Sequence, residues 1–252
     1  MNRLHLIFAT LFLPLMLFGQ GLYWETKLTT IGGEQTMRSF FAPKKMKVTS
    51  TQGQHMVILL DQKKVVQIND HESTYSELSF DEMEGMMKGQ MSEMQQHVDQ
   101  LREALKSMPE EQRKQMEGMM KAMGVGRSED PVIVSPTGRR KEIAGYTCEE
   151  FTLKQKESIV ATVWTTKQIK EFNDMRNEFQ EFSKQMSSWN MLGKPLVDAM
   201  QKVEGFPMET TMEGGMKSVV TKIERRSIPP SEFEVPKGYK KTQFSLPQQE
   251  QQ

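Results

Sequence analysis

The chain has 252 residues, 37% of them apolar, which is enough for one large or two small folded units and too few for several membrane spans. Its 33 basic residues balance 33 acidic ones, which excludes both a basic field for nucleic acid and an acidic solvating block. A single cysteine, Cys148, excludes an internal disulfide framework, while 22 methionines far exceed what a soluble domain of this size needs.

Arg3 precedes an apolar run from Leu4 to Phe18, and Gly19-Gln20-Gly21 supplies small residues where a signal peptidase would cut. The pattern predicts a secretory signal over residues 1–21 and a mature chain in the periplasm or outside the cell. The run falls short of the roughly 20 residues that a membrane helix needs, and it contains Pro14. No integral span is expected once it is removed. No cysteine follows the cleavage region, so a lipid-modified N-terminus is not expected either.

From Leu22 onward the hydrophobic period is two. Trp24, Thr26 and Leu28 share one side of a strand, and Met46 and Val48 repeat the pattern against Lys45, Lys47 and Thr49. Met56-Val57-Ile58-Leu59-Leu60 is apolar on both faces, which predicts a strand covered on each side. Turn residues recur at Gly32-Gly33, Pro43, Gly53, Asp61 and Asn69-Asp70. Six short strands over 22–80 therefore form a meander, because no connection is long enough for a crossover helix.

At Asp81 the period changes to that of a helix. Met87, Met91, Met94, Val98, Leu101, Leu105 and Met108 form one continuous stripe, with Asp81 and Glu82 at the end where acidic side chains favour a helix start. Ser107 and Pro109 mark a second start, followed by Met116, Met119, Met120 and Met123. The spacing predicts a helical hairpin over 81–123, inserted between strands.

Strand signals return at 131–135, across an expected turn at Gly138, and continue through 146–153 and 159–165. A further helix over 168–190 carries Ile169, Phe172, Met175, Phe179, Phe182, Met186 and Trp189. Leu196, Val197, Met200 and Val203 add a turn or two before Gly205 closes the segment. Residues 206–226 read as strand, Phe233, Val235 and Tyr239 end the domain, and the Gln-rich tail 246–252 is expected to be disordered. Within 146–153, Tyr146 and Cys148 share one parity and Phe151 and Leu153 the other, which predicts a β-bulge at Glu149-Glu150.

Gly145-Tyr146-Thr147-Cys148, Trp164-Thr165, Gly205-Phe206-Pro207-Met208-Glu209 and the terminal Phe233-Glu234-Val235-Pro236-Lys237-Gly238-Tyr239 carry a resemblance. Over nearly all of the mature chain the sequence resembles an uncharacterised bacterial family, domain of unknown function 4412. Its strand order is similar to the open half-barrel of periplasmic lipoprotein carriers. The resemblance implies an α+β fold, a curved antiparallel sheet with helices across its concave face, and export beyond the inner membrane. It brings no catalytic residues, cofactor or ligand. The expected organisation is a leader, 1–21, then a single domain, 22–245, with helical insertions at 81–123 and 168–204.

No catalytic signature emerges from the residues themselves. There is no His-Glu-x-x-His, no Gly-x-Ser-x-Gly elbow and no phosphate-cradling glycine loop, so the chain is read as non-enzymatic and without a cofactor. Cys148 has no adjacent His or basic run to lower its pKa and reads as a small buried hydrophobe. Glu149-Glu150 and the basic runs Arg139-Arg140-Lys141 and Lys240-Lys241 read as solvated charge. Ten methionines between 83 and 123 need cover, since burying each contributes on the order of 1.5–3 kcal/mol. The thioether side chain also repacks around partners of different shape.

Three readings of the stripe follow. It is plain core; or Met87, Met91, Met94, Met119, Met120, Trp164, Phe172, Phe179 and Phe182 hold a lipid, an acyl chain of a lipidated protein or another apolar ligand beneath a helical lid; or the same helices bind unfolded polypeptide as a periplasmic chaperone does. Cu(I) on Met83, Met87, Met91, Met94 and His97 is a further alternative, weakened because Met at helical spacing is ordinary core and no second His or Cys joins it.

Overall fold

The structure, a computed structural model, describes residues 20–106, 109–110, 112–113, 130–185 and 194–244. The six-strand meander is present: β1 (Gln20–Thr30), β2 (Gly33–Ala42), β3 (Lys45–Ser50), β4 (Gln54–Leu59), β5 (Lys64–Asn69) and β6 (Thr74–Ser79). Helix α1 (Phe80–Lys106) follows directly. Ser79 caps it, its backbone N–H donating to Glu82 Oε2 at 2.9 Å while the Glu82 N–H donates to Ser79 Oγ at 3.2 Å. This reciprocal capping box fixes the strand-to-helix switch that the change of period at Asp81 announces.

β7 (Val132–Ile143), β8 (Tyr146–Gln155) and β9 (Ser158–Thr166) come next, then α2 (Glu171–Gln185), α3 (Lys194–Lys202), β10 (Phe206–Met212), β11 (Lys217–Ser227), a 3-10 turn (Pro230–Phe233) and the short β12 (Lys240–Lys241). All twelve strands join one open, curved sheet in the order β12-β6-β5-β4-β3-β2-β1-β11-β10-β9-β8-β7. Every pairing is antiparallel except β12 with β6. The two halves meet where β1 pairs β11, Trp24 lying opposite Ile223. Register shifts in β7, β10 and β11 bend the sheet, as extra residues in a ladder do.

Both faces of the meander are covered, as the doubly apolar run at 56–60 predicts. Leu22, Trp24 and Phe41 belong to one buried cluster and Ile58 and Val65 to its continuation. Their neighbours Tyr23, Phe40, Val57 and Val66 point the other way and pack with Ile228 and Phe233 of the C-terminal segment. Helix α2 lies on the first face, where Phe172, Met175 and Phe179 meet the Trp24 cluster and Phe179 and Phe182 meet Ile58, Val65, Phe80 and Met83. Helix α3 lies on the opposite face, with Leu196, Ala199 and Val203 against Leu153, Ala161 and Val163.

Three local expectations are corrected. Gly138 is no turn: β7 runs through it, and the reversal comes at Ala144-Gly145, where both residues have positive φ and Ile143 pairs with Tyr146 as a two-residue hairpin requires. The bulge lies on β7 and not on β8, with Pro136 opposite Phe151 and Arg140 opposite Glu149, so that residues 137–139 face Glu150 alone. The change of parity along β8 has another cause. Cys148 and Glu150 point to the face that α2 covers, while Leu153 is buried against α3 on the other.

Among the described residues, no helix is long and apolar enough to cross a membrane. Gly21 lies in β1 opposite Arg226, and a Cβ there would come within 2.5 Å of the Phe41 carbonyl oxygen.

Candidate functional site

Helix α2 presents its apolar row to the sheet at the three- and four-residue spacing that the sequence shows, and the rings form two linked chains. Phe172 meets Phe206 edge-on at 5.5 Å between centroids, and Phe206 meets Trp24 in the same way at 5.5 Å. Further along, Phe41 lies 6.2 Å from Phe179, Phe179 lies 6.2 Å from Phe182, and Phe182 lies 4.9 Å from Phe80 at the start of α1. Edge-to-face pairs of this kind contribute beyond their buried area. The sheet residues beneath are closed off, Leu22 and Met208 at 0% exposure, whereas the helix side chains are half-buried.

Polar contacts fasten α2 at two places. Arg225 of β11 makes a two-pronged pair with Glu171 in the helix's first turn and also donates to the Gln168 carbonyl. The Arg225 hydrogen bond holds the Glu171 carboxyl below its ordinary value, against the opposing push of burial. Farther along, the Lys44 backbone N–H donates to Glu178 Oε2 at 2.6 Å. The helix is therefore a clamped cover.

Beyond the N-terminal end of α2 the same face becomes polar. Glu150 is buried at 3% exposure, and Arg139 donates to both of its oxygens at 2.5 Å while the Thr137 hydroxyl donates at 2.7 Å. The β7 bulge wraps these donors around the carboxylate. Trp164, opposite Glu150 on β9, lies under two cations: Lys141 Nζ at 4.2 Å from the ring centroid and the Arg139 guanidinium at 6.0 Å. Lys141 also reaches Glu209 at 2.7 Å, and Lys217 reaches the other oxygen of Glu209 at 3.2 Å. Burial pushes the Glu209 carboxyl up, but the two lysine hydrogen bonds outweigh it and hold the group below its ordinary range.

Of the expected ligand-binding residues, Phe172, Phe179 and Phe182 lie along α2, and Trp164 joins the cluster of Phe172 and Phe179 from β9, while Phe182 packs with Phe80 and Met83. Met87, Met91 and Met94 lie on α1, but their side chains, like Met119 and Met120, lie outside the described residues. Met83, one of the candidate copper ligands, is buried at 5% with Ile58, Val65 and Phe80 and serves as core. Among the described residues, no group of three or more His, Cys, Asp or Glu converges as a metal site would require.

Cys148 is fully buried, as expected of a small buried hydrophobe, and burial pushes its thiol up. Glu150 and the Arg139-Arg140-Lys141 run are not simply solvated charge. Residues 139 and 141 share a face of a strand, and the one readable signal was that a basic run and an acidic pair flank the same hairpin.

On the other face a polar contact holds the segment around Tyr239. Asp70 accepts from the Tyr239 hydroxyl at 3.0 Å and lies 2.6 Å from His55 Nε2, while His55 Nδ1 is buried without a hydrogen-bond partner. A cleft of about 230 Å³ lies between α3 and the start of β7, lined by Pro131, Val132, Lys194, Pro195, Asp198 and Lys202. It is smaller than the roughly 300–1,000 Å³ of common ligand pockets.

No curated protein matches the sequence. Two solved structures of PNGF-II, in C2 and P21 space groups, are similar over 90% of this chain at 12% and 10% identity, each with a TM-score of 0.38. This chain spans only 31% and 32% of their length. A family model described as domain of unknown function (DUF4412) matches residues 82–239, from the first turn of α1 to Tyr239, and leaves β1–β6 outside it. The chain thus belongs to the DUF4412 family.

Proposed function

We propose that the protein is an exported, non-enzymatic binding protein that holds an apolar ligand, a lipid or an acyl chain, between its sheet and the α2 cover, in the manner of half-barrel lipoprotein carriers. The observation that carries the reading is the division of burial across the α2 interface. The floor, Leu22, Trp24, Phe41, Phe206 and Met208, is no more than 7% exposed, and its cover is one row of half-buried Phe and Met on a single helix. A helix joined through aromatic edges and two polar clamps can shift as a unit. An acyl chain would then take over the contacts that Phe172, Met175 and Phe179 make, offsetting the cost of uncovering the floor.

The leader pattern at 1–21 supports export. The burial of Cys148 and the engagement of Glu150 and Glu209 by cations support a role without chemistry, since none of these groups is poised as a nucleophile or base. Organic extraction and mass spectrometry of the purified protein test the reading, together with titration of a fluorescent fatty acid. Co-purifying lipid and saturable uptake are expected. The absence of both overturns the proposal.

A further inference from the structure

The polar ground beside Trp164 narrows the class of ligand. We infer that the ligand of the proposed site is a long-chain carboxylate, whose chain lies on the apolar floor under α2 and whose anionic head is received by Lys141 and Lys217. This rests on the binding role proposed above.

Charge is the first argument. Arg139, Lys141 and Lys217 face two carboxylates, Glu150 and Glu209, so among the described residues one positive charge is left over in this group. Arg139 is committed to the buried Glu150 through both prongs. The surplus therefore belongs to the lysines, which share a single carboxylate. Each ammonium has three donors and gives one to Glu209, which leaves donors free for a second anion. Access is the second argument: the two lysine side chains are 35% and 45% exposed, whereas Glu209 is 12% exposed.

Continuity is the third. Phe206, under the Phe172 ring, and Glu209, under the lysines, are three residues apart on β10, with the buried Met208 between. At about 3.3 Å per residue the apolar floor passes into the cationic ground within roughly 10 Å. A molecule with an apolar chain and one negative head matches that change. A neutral lipid would leave the surplus charge unanswered.

The test uses two probes of the same chain length, dansyl-undecanoate and its methyl ester, titrated against the purified full chain. The acid is expected to bind more tightly than the ester by about tenfold or more, as for a hydrogen bond to a charged group. The double variant Lys141→Gln/Lys217→Gln is expected to lose that preference while keeping its affinity for the ester. Glu209→Gln removes the competing carboxylate and is expected to increase the preference for the acid. These opposite effects separate a ligand role from a purely structural one, which both changes would weaken alike. Equal affinity for acid and ester in the unaltered protein, or an undiminished preference in the double variant, overturns this inference and leaves the binding role standing. Failure to bind either probe overturns both.

Discussion

Arg139 grips Glu150 from the solvent side: the guanidinium is largely exposed, the carboxylate is 3% exposed, and two 2.5 Å hydrogen bonds join them across the β7 bulge. Three residues of β7 face this one residue of β8, and the extra backbone brings Thr137 and Arg139 around it. A buried carboxylate that loses its partner is costly because it cannot regain water. Arg139→Gln is expected to destabilise the fold by about 2–3 kcal/mol, at the low end for a broken buried pair because the site lies near solvent. Urea unfolding measures it. Arg139→Leu/Glu150→Leu should recover most of the loss, since the carboxylate is then gone.

Gly205 lies in the link between α3 and β10, immediately before Phe206, with φ of +89°, and a Cβ there would lie 2.8 Å from the Thr166 carbonyl oxygen. Conformation and close approach both require glycine. Gly205→Ala is expected to cost about 1–3 kcal/mol in thermal or urea unfolding. Gly138, with φ of +76° but nothing within 4 Å of a built Cβ, should cost less on the same substitution.

The two periods of the hydrophobic pattern made most of the fold readable. Alternation placed β1–β6, the three-and-four spacing placed α1 and α2, and the doubly apolar run at 56–60 marked β4 as covered on both faces. What alternation cannot show is which helix covers which face. Cys148 and Leu153 are both buried yet point opposite ways, because α2 and α3 lie on opposite sides of the sheet. Half of the candidate site was equally legible, since Phe172, Phe179 and Phe182 recur at helical spacing. The cationic half was hidden. A run of basic residues looks the same in a turn as in a bulged strand, and only the pairing of β7 with β8 and β9 brings Lys141 over Trp164.

Phe179 joins both clusters on the α2 face and touches both Phe41 and Phe182. Phe179→Ala is expected to destabilise by about 2–4 kcal/mol, less than a fully buried Phe at the upper end of the known range because the ring is half-buried. The measurement is again urea unfolding. Phe179→Leu, which keeps most of the volume, should recover more than half of that loss.

The C-terminal segment should loosen in acid. Burial opposes ionisation of Asp70, but hydrogen bonds with His55 and Tyr239 hold its carboxyl below the ordinary 3.8. Hydrogen bonds from Lys241 and Lys64 hold Glu77 below 4.5. Groups whose folded pKa is depressed contribute stability above their unfolded values and lose it as pH falls through the folded ones. Proteolytic nicking near 236–242 by an acid-active protease should therefore rise as pH drops below about 4, once corrected for the protease's own profile. Asp70→Asn should be nicked there faster than the unaltered protein already at neutral pH, read with a protease active at that pH.

Under the proposed binding role, the clamp between Arg225 and Glu171 should set how readily α2 opens from the sheet. Glu171 is held below its ordinary 4.5 chiefly by the Arg225 hydrogen bond, so its contribution is complete above that value and fades as pH falls through the depressed one. Arg225→Gln removes the charge partner at any pH and leaves the helix held, among the described residues, by the Lys44 backbone contact with Glu178 and the packing of Phe172, Met175, Phe179 and Phe182. Hydrogen-exchange protection of the 171–178 amides should fall in this variant at neutral pH by more than any change in β1–β5, whose ladder and other-face cluster with Ile228 and Phe233 do not depend on α2. Uptake of a neutral apolar dye should become faster in parallel, because opening of the cover then precedes entry. Faster exchange without faster uptake would show that α2 moves but does not gate the apolar floor.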